Sequence, residues 1–234
     1  MPDCDTCQSL VDVAEEFKNS ETCKELDSCK DCTPSMHCTC FPGDAIVTRI
    51  VDNGGRCQQP IAMADLMVGD KVLVGPGGQF SEVFMFSHRL PGAEATFVEI
   101  HTAASGTPLA ITSGHYLYRY MAGARGAARQ LVEARRVRVG DNVTLGASGK
   151  AAPVVAVRSV RKKGLYNPHT LHGDIVVGGV LASSYTAAFS PTLAHVVLAP
   201  LRALYRAGVD IFKVDVGAAL DALPAWWTRR FRAA

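Results

Sequence analysis

Val68-Gly69-Asp70-Lys71-Val72 and, 71 residues further on, Val139-Gly140-Asp141-Asn142-Val143 are two copies of one short phrase. A glycine and an acidic residue ahead of a β-branched run mark a turn that feeds a strand. At the same offset Ser81-Glu82-Val83-Phe84 is answered by Ala152-Pro153-Val154-Val155. One offset held across two separate segments points to a duplicated β unit. Two copies suit a pseudo-twofold domain, whereas a solenoid needs more.

Around these copies the chain consists of short apolar, β-branched runs: Ala45–Val51, Lys71–Val74, Glu82–Phe86, Phe97–His101, Arg136–Val139, Val154–Val160 and Asp174–Leu181. Turn signals separate them, among them Asn53-Gly54-Gly55 and Gly75-Pro76-Gly77-Gly78. This texture predicts an all-β domain over residues 40–186.

The two ends differ from the middle. Residues 1–39 hold nine acidic against three basic side chains and six of the eight cysteines; the remainder carries thirteen acidic against twenty-one basic. Leu10, Val13, Ala14 and Phe17 recur at helical spacing within this piece. Cys4-x-x-Cys7 and Cys29-x-x-Cys32, with His37 nearby, fit tetrahedral zinc or disulfides equally in spacing. The start, Met1-Pro2-Asp3-Cys4-Asp5, lacks the basic and apolar regions of a signal peptide. Residues 187–234 form the other appendage, where Leu193–Tyr205 and Gly217–Leu223 predict short helices interrupted by Pro200. The closing Trp226-Trp227-Thr228-Arg229-Arg230-Phe231 alternates indoles with basic residues, a pattern that suits a membrane surface as well as a helix capping the β domain. Basic residues are scattered rather than clustered, which argues against nucleic acid as a partner.

Cys40-Phe41-Pro42-Gly43-Asp44 opens the β region abruptly, and Thr112-Ser113-Gly114-His115 sets a hydroxyl and an imidazole three residues apart after an apolar strand. With Leu66-Met67-Val68-Gly69-Asp70-Lys71-Val72-Leu73, the closing Tyr166–Val177 and Val180–Tyr185, these motifs stand in the order found in the Hint family. The chain resembles the hedgehog autoprocessing (Hog) branch of that family over residues 40–205. Its N-terminal piece does not resemble the hedgehog signalling domain.

The resemblance implies a pseudo-twofold Hint fold and self-cleavage at Thr39-Cys40, by an N-to-S acyl shift onto the Cys40 sulfur. Thr112 is implied as the donor at the developing oxyanion, and His115 as the group that protonates the leaving nitrogen. A lipid or sterol hydroxyl, or water, then resolves the thioester, with no cofactor. The substrate is the chain's own N-terminal segment, and export or membrane association is the family's setting. Three positions depart from the hedgehog pattern. His88 stands where an aspartate assists the acceptor and is itself suited to act as general base; Ser184 replaces a cysteine; Thr39 replaces a glycine. Val177-Gly178-Gly179-Val180 offers no asparagine for intein-type splicing. His101, His169, His172 and His195 read as structural. The competing reading is a catalytically silent scaffold whose cysteine-rich piece binds metal or a partner.

Overall fold

Gly-Asp turns and β-branched runs produce a structure that is mostly strand among the described residues. The computed structural model describes residues 40–51, 57–123, 126–186 and 198–209. Eleven strands form among them: β1 Ile46–Ile50, β2 Gln58–Ala62, β3 Lys71–Gly75, β4 Gln79–Thr102, β5 Leu109–Ile111, β6 His115–Gly123, β7 Gly126–Glu133, β8 Asn142–Thr144, β9 Ala151–Thr170, β10 Asp174–Val177 and β11 Val180–Thr186. Hydrogen bonds link them in the order β10-β11-β6-β8-β9-β4-β3-β1-β2, with β5 on β4 and β7 on β6. Val47 of β1 also pairs with Val177 of β10, so the sheet closes on itself.

The duplication is written into the backbone hydrogen bonds. Gly69 N donates to Val83 O at 2.8 Å, and its counterpart Gly140 N donates to Val154 O at 2.9 Å. The carboxylates of Asp70 and Asp141 each accept the amide three residues back, from Met67 at 2.8 Å and Arg138 at 2.9 Å. Gly69 and Gly140 have φ of 95° and 90°, a region a Cβ disfavours, and this explains a glycine in both copies. β4 and β9 correspond in the two halves and run antiparallel along most of their length, from Val83 against Thr170 to Thr102 against Val154.

Several expectations are corrected. Glu82–Phe86 and Phe97–His101 belong to one long strand, because pairing with β9 resumes at Glu94–Lys163 after Leu90–Leu165, with Pro91, Gly92 and Ala93 bulged between. Arg136–Val139 is not a strand: Ala134–Arg136 is a 3-10 turn, the repeat of Met63–Asp65 in the first copy. Asp174–Leu181 is a hairpin, folded at Gly178 and Gly179, whose φ of 56° and 80° suit a tight two-residue turn. Pro200 does not interrupt a helix but starts one, α1 Ala199–Arg206, where its missing N–H is not needed. The cysteine-rich piece, with Cys4, Cys7, Cys29 and Cys32, and the Trp226–Phe231 tail lie outside the described residues.

The main core gathers Phe41, Val47, Met63, Leu66, Val83, Ile100, Ile111, Leu117, Tyr166 and Ile175. Each such side chain contributes about 1.5–3 kcal/mol by leaving water. Phe41 is the member that matters for the site, since its burial anchors the residue before it. No helix among the described residues is long and apolar enough to cross a membrane.

Candidate active site

Phe41 forms a two-way bridge with β9: its N–H donates to Tyr166 O at 2.8 Å, and Tyr166 N returns a bond to Phe41 O at 2.9 Å. Phe41 and Tyr166 turn inward to the main core, whereas Cys40 and Leu165 pack on the opposite face with Ala95, Phe97 and Ala110. Because side chains alternate along a strand, Asn167 and His169 share the face of Leu165 and Cys40. All three of Cys40, Asn167 and His169 are buried.

The other wall comes from the turn between β5 and β6. His115 N donates to Thr112 O at 3.1 Å, which closes Thr112–His115 into a tight turn at the strand end. This turn grips Cys40 twice. Thr112 N donates to Cys40 O at 3.0 Å, and Thr112 Oγ1 accepts the Cys40 N–H at 2.8 Å. The nitrogen so held is that of the Thr39-Cys40 peptide bond; Thr39 itself lies outside the described residues.

His115 is fully buried, with its ring 4.5 Å from that of Phe41. Its Nε2 lies 2.8 Å from Ser183 O. A carbonyl only accepts, so Nε2 carries the proton and Nδ1 bears the lone pair. Nδ1 has no hydrogen-bond partner among the described residues. Burial, with a smaller contribution from His88, pushes the imidazole down to about 4 against the support of Ser183 O. His115 is therefore neutral near pH 7.

His88 is buried at 3% exposure, and burial lowers its pKa. Its position is set by an irregularity in β4: Phe86 faces Pro168 and His88 faces Asn167, so Ser87 and His88 together oppose one residue of β9. This is a β-bulge, a device that re-aims side chains. Both ring nitrogens of His88 lack partners among the described residues. Ser87 Oγ accepts from Asn167 Nδ2 at 2.8 Å and lies 2.9 Å from His169 Nε2. Burial, with the charges of His88, His115 and Arg202, pushes His169 down to about 3. Burial thus keeps all three histidines neutral near pH 7.

The structure brings Cys40, Thr112 and His115 together, and the β4–β9 register sets His88 opposite Asn167 on the face of Cys40. The sequence reading placed Thr112 at the oxyanion; its hydroxyl sits on the nitrogen of the same peptide bond. Ser184 is fully buried, and its Oγ has no hydrogen-bond partner among the described residues. Ser87 and Asn167 were missed, and His169 was read as structural. The one signal that could have found them is Tyr166-Asn167-Pro168-His169, which sets two polar side chains at i and i+2 on one face of a strand.

The model for the Hint module matches residues 29–216. Indian hedgehog B protein of Danio rerio is 35% identical over 180 residues, covering 71% of this chain and 42% of that protein. Protein hedgehog of Drosophila virilis is 36% identical over 172 residues, covering 71% of this chain and 34% of that protein. The chain thus spans less than half the length of these relatives. Among solved structures, a DnaB intein from Synechocystis sp. PCC 6803 aligns with a TM-score of 0.48 at 10% identity, covering 63% of this chain and 99% of that one.

Proposed function

Because the chain belongs to the Hint family, we propose that it cuts its own backbone at Thr39-Cys40 and so releases residues 1–39 from a Hint domain of residues 40–186. The Cys40 sulfur attacks the Thr39 carbonyl carbon, the bond from that carbon to Cys40 N breaks, and a thioester joins Thr39 to Cys40. The observation that carries this reading is the double grip of Thr112 on Cys40, with Oγ1 at 2.8 Å from the nitrogen that must leave.

Neutral His115 suits both proton transfers. Its Nδ1 lone pair can take the thiol proton, which the sulfur must lose to become a nucleophile. The imidazolium so formed is buried and strongly acidic, so it gives the proton up readily to the departing nitrogen. Thr112 fixes that nitrogen, and its hydroxyl can turn to donate once the amide loses its resonance. His88 is the general base for the second step, in which the hydroxyl of a lipid or sterol, or water, attacks the thioester. The likeness to hedgehog proteins supports a sterol as a candidate acceptor, and the paired indoles and arginines of the tail support contact with a membrane surface.

The test is incubation of the full chain with dithiothreitol, with products weighed by mass spectrometry beside Cys40→Ala. Scission between Thr39 and Cys40 in the parent alone is expected. A parent that stays intact would support the silent scaffold instead.

A further inference from the structure

Asn167 is the unassigned residue nearest in register to the reacting cysteine. The Phe41–Tyr166 bridge sets Cys40 opposite Asn167 on one side of β9, and the β4 pairing sets His88 opposite Asn167 on the other. Residues opposed in this way project to the same face, so His88, Asn167 and Cys40 form a row across β4, β9 and the extended segment that opens the domain. Asn167 is fully buried. Its Nδ2 is engaged by Ser87 Oγ at 2.8 Å, but its Oδ1 has no hydrogen-bond partner among the described residues, and neither ring nitrogen of His88 has one.

Buried polar atoms are almost always hydrogen-bonded, so such a row calls for a molecule that satisfies it. The chemistry of the row is selective. Asn167 Oδ1 only accepts, and a neutral His88 offers one lone pair beside its single N–H. A molecule seated between them must donate twice. An alcohol has one hydroxyl proton; if His88 takes it, Asn167 Oδ1 stays unpaired. Water has two.

We propose that Asn167 and His88 seat a water molecule that hydrolyses the Cys40 thioester, so that self-cleavage ends in a free carboxylate on Thr39 rather than in an ester. This rests on the thioester reading above. One water proton is held by Asn167 Oδ1 while His88 takes the other; the water oxygen bonds to the Thr39 carbonyl carbon, and the carbon–sulfur bond breaks. The proton passes from His88 to the Cys40 thiolate, which restores both groups. Asn167 is a specificity-determining residue here: a site built to hold two donated protons rejects a nucleophile that brings one.

The experiment uses the full chain in oxygen-18 water without thiol, with and without phosphatidylcholine vesicles containing cholesterol, and reads the mass of the N-terminal fragment. The expected product carries one heavy oxygen at the Thr39 carboxyl whether or not sterol is present. A sterol ester as the main product in the vesicle arm overturns the proposal. Asn167→Leu is then compared with the parent in water and in dithiothreitol. Hydrolysis is expected to slow roughly ten- to a hundredfold, the cost of one buried hydrogen bond left unmade. Scission by dithiothreitol, a thiolate with no proton to place, is expected to stay within about twofold of the parent. Equal losses in both assays, or none in either, overturn the role of Asn167. If Asn167→Leu does not fold, the oxygen-18 and sterol partition of the parent decides alone. A parent inert to dithiothreitol shows instead that the thioester reading itself fails.

Discussion

His115→Gln keeps a donor for Ser183 O but removes the lone pair at Nδ1. Dithiothreitol-induced scission is expected to slow by about 10²–10⁴, the usual worth of a positioned acid–base group, while the fold survives. Gel densitometry of the time course measures it, with near-ultraviolet circular dichroism as the control for folding. Thr112→Val is milder in shape, yet it deprives the buried Cys40 N–H of its acceptor; about 1–3 kcal/mol of stability should be lost, read from the urea midpoint. Cys40, Thr112 and His115 were legible in the sequence through the order of motifs that resembles the Hint family, since Thr112-x-x-His115 alone is a common turn. Ser87, Asn167 and His169 were not, because their roles depend on which strands lie side by side. No spacing along the chain contains that.

Gly164 tests how the strands present the cysteine. Its φ is +91°, and an added Cβ would stand 2.6 Å from Tyr166 Cε2 and 3.0 Å from Gly43 N. Gly164→Ala is expected to cost about 1–3 kcal/mol from backbone strain alone, with more from the displaced ring. Since Tyr166 holds Phe41, and Phe41 holds Cys40, scission should slow together with the fall in the denaturant midpoint. At this scale the sequence revealed the turns better than the strands. The repeated Val-Gly-Asp phrase located two loops that match bond for bond, whereas the break expected inside β4 vanishes because β9 pairs across it. The bulge at Ser87-His88, which creates the polar face of the site, arises from one extra residue in β4 relative to β9 and has no local signature.

The molecule as a whole carries its histidines at a cost that depends on pH. His115 and His169 have folded pKa values of about 4 and about 3, against 6.5 for an unperturbed imidazole. Between those limits the unfolded chain binds protons that the folded chain refuses, so stability is complete above about pH 6.5 and declines as pH falls toward 3. The loss over that range is on the order of several kcal/mol. A pH titration of the urea midpoint should show it, and His169→Gln should flatten the curve. A midpoint unchanged between pH 7 and 4 would contradict the buried neutral histidines. The pseudo-twofold plan, legible from the constant offset of 71 residues, explains why the site is asymmetric within a symmetric frame: one copy of the long strand provides the bulge with His88, and the other provides Asn167 and His169.

The central claim is a thioester between Thr39 and Cys40, and hydroxylamine reports it directly. Treated at neutral pH, the parent chain should release residues 1–39 with a hydroxamate at Thr39, and Cys40→Ala should release nothing. Scission that persists in Cys40→Ala, or a parent that remains whole while His115 and Thr112 are intact and the fold is retained, would contradict it.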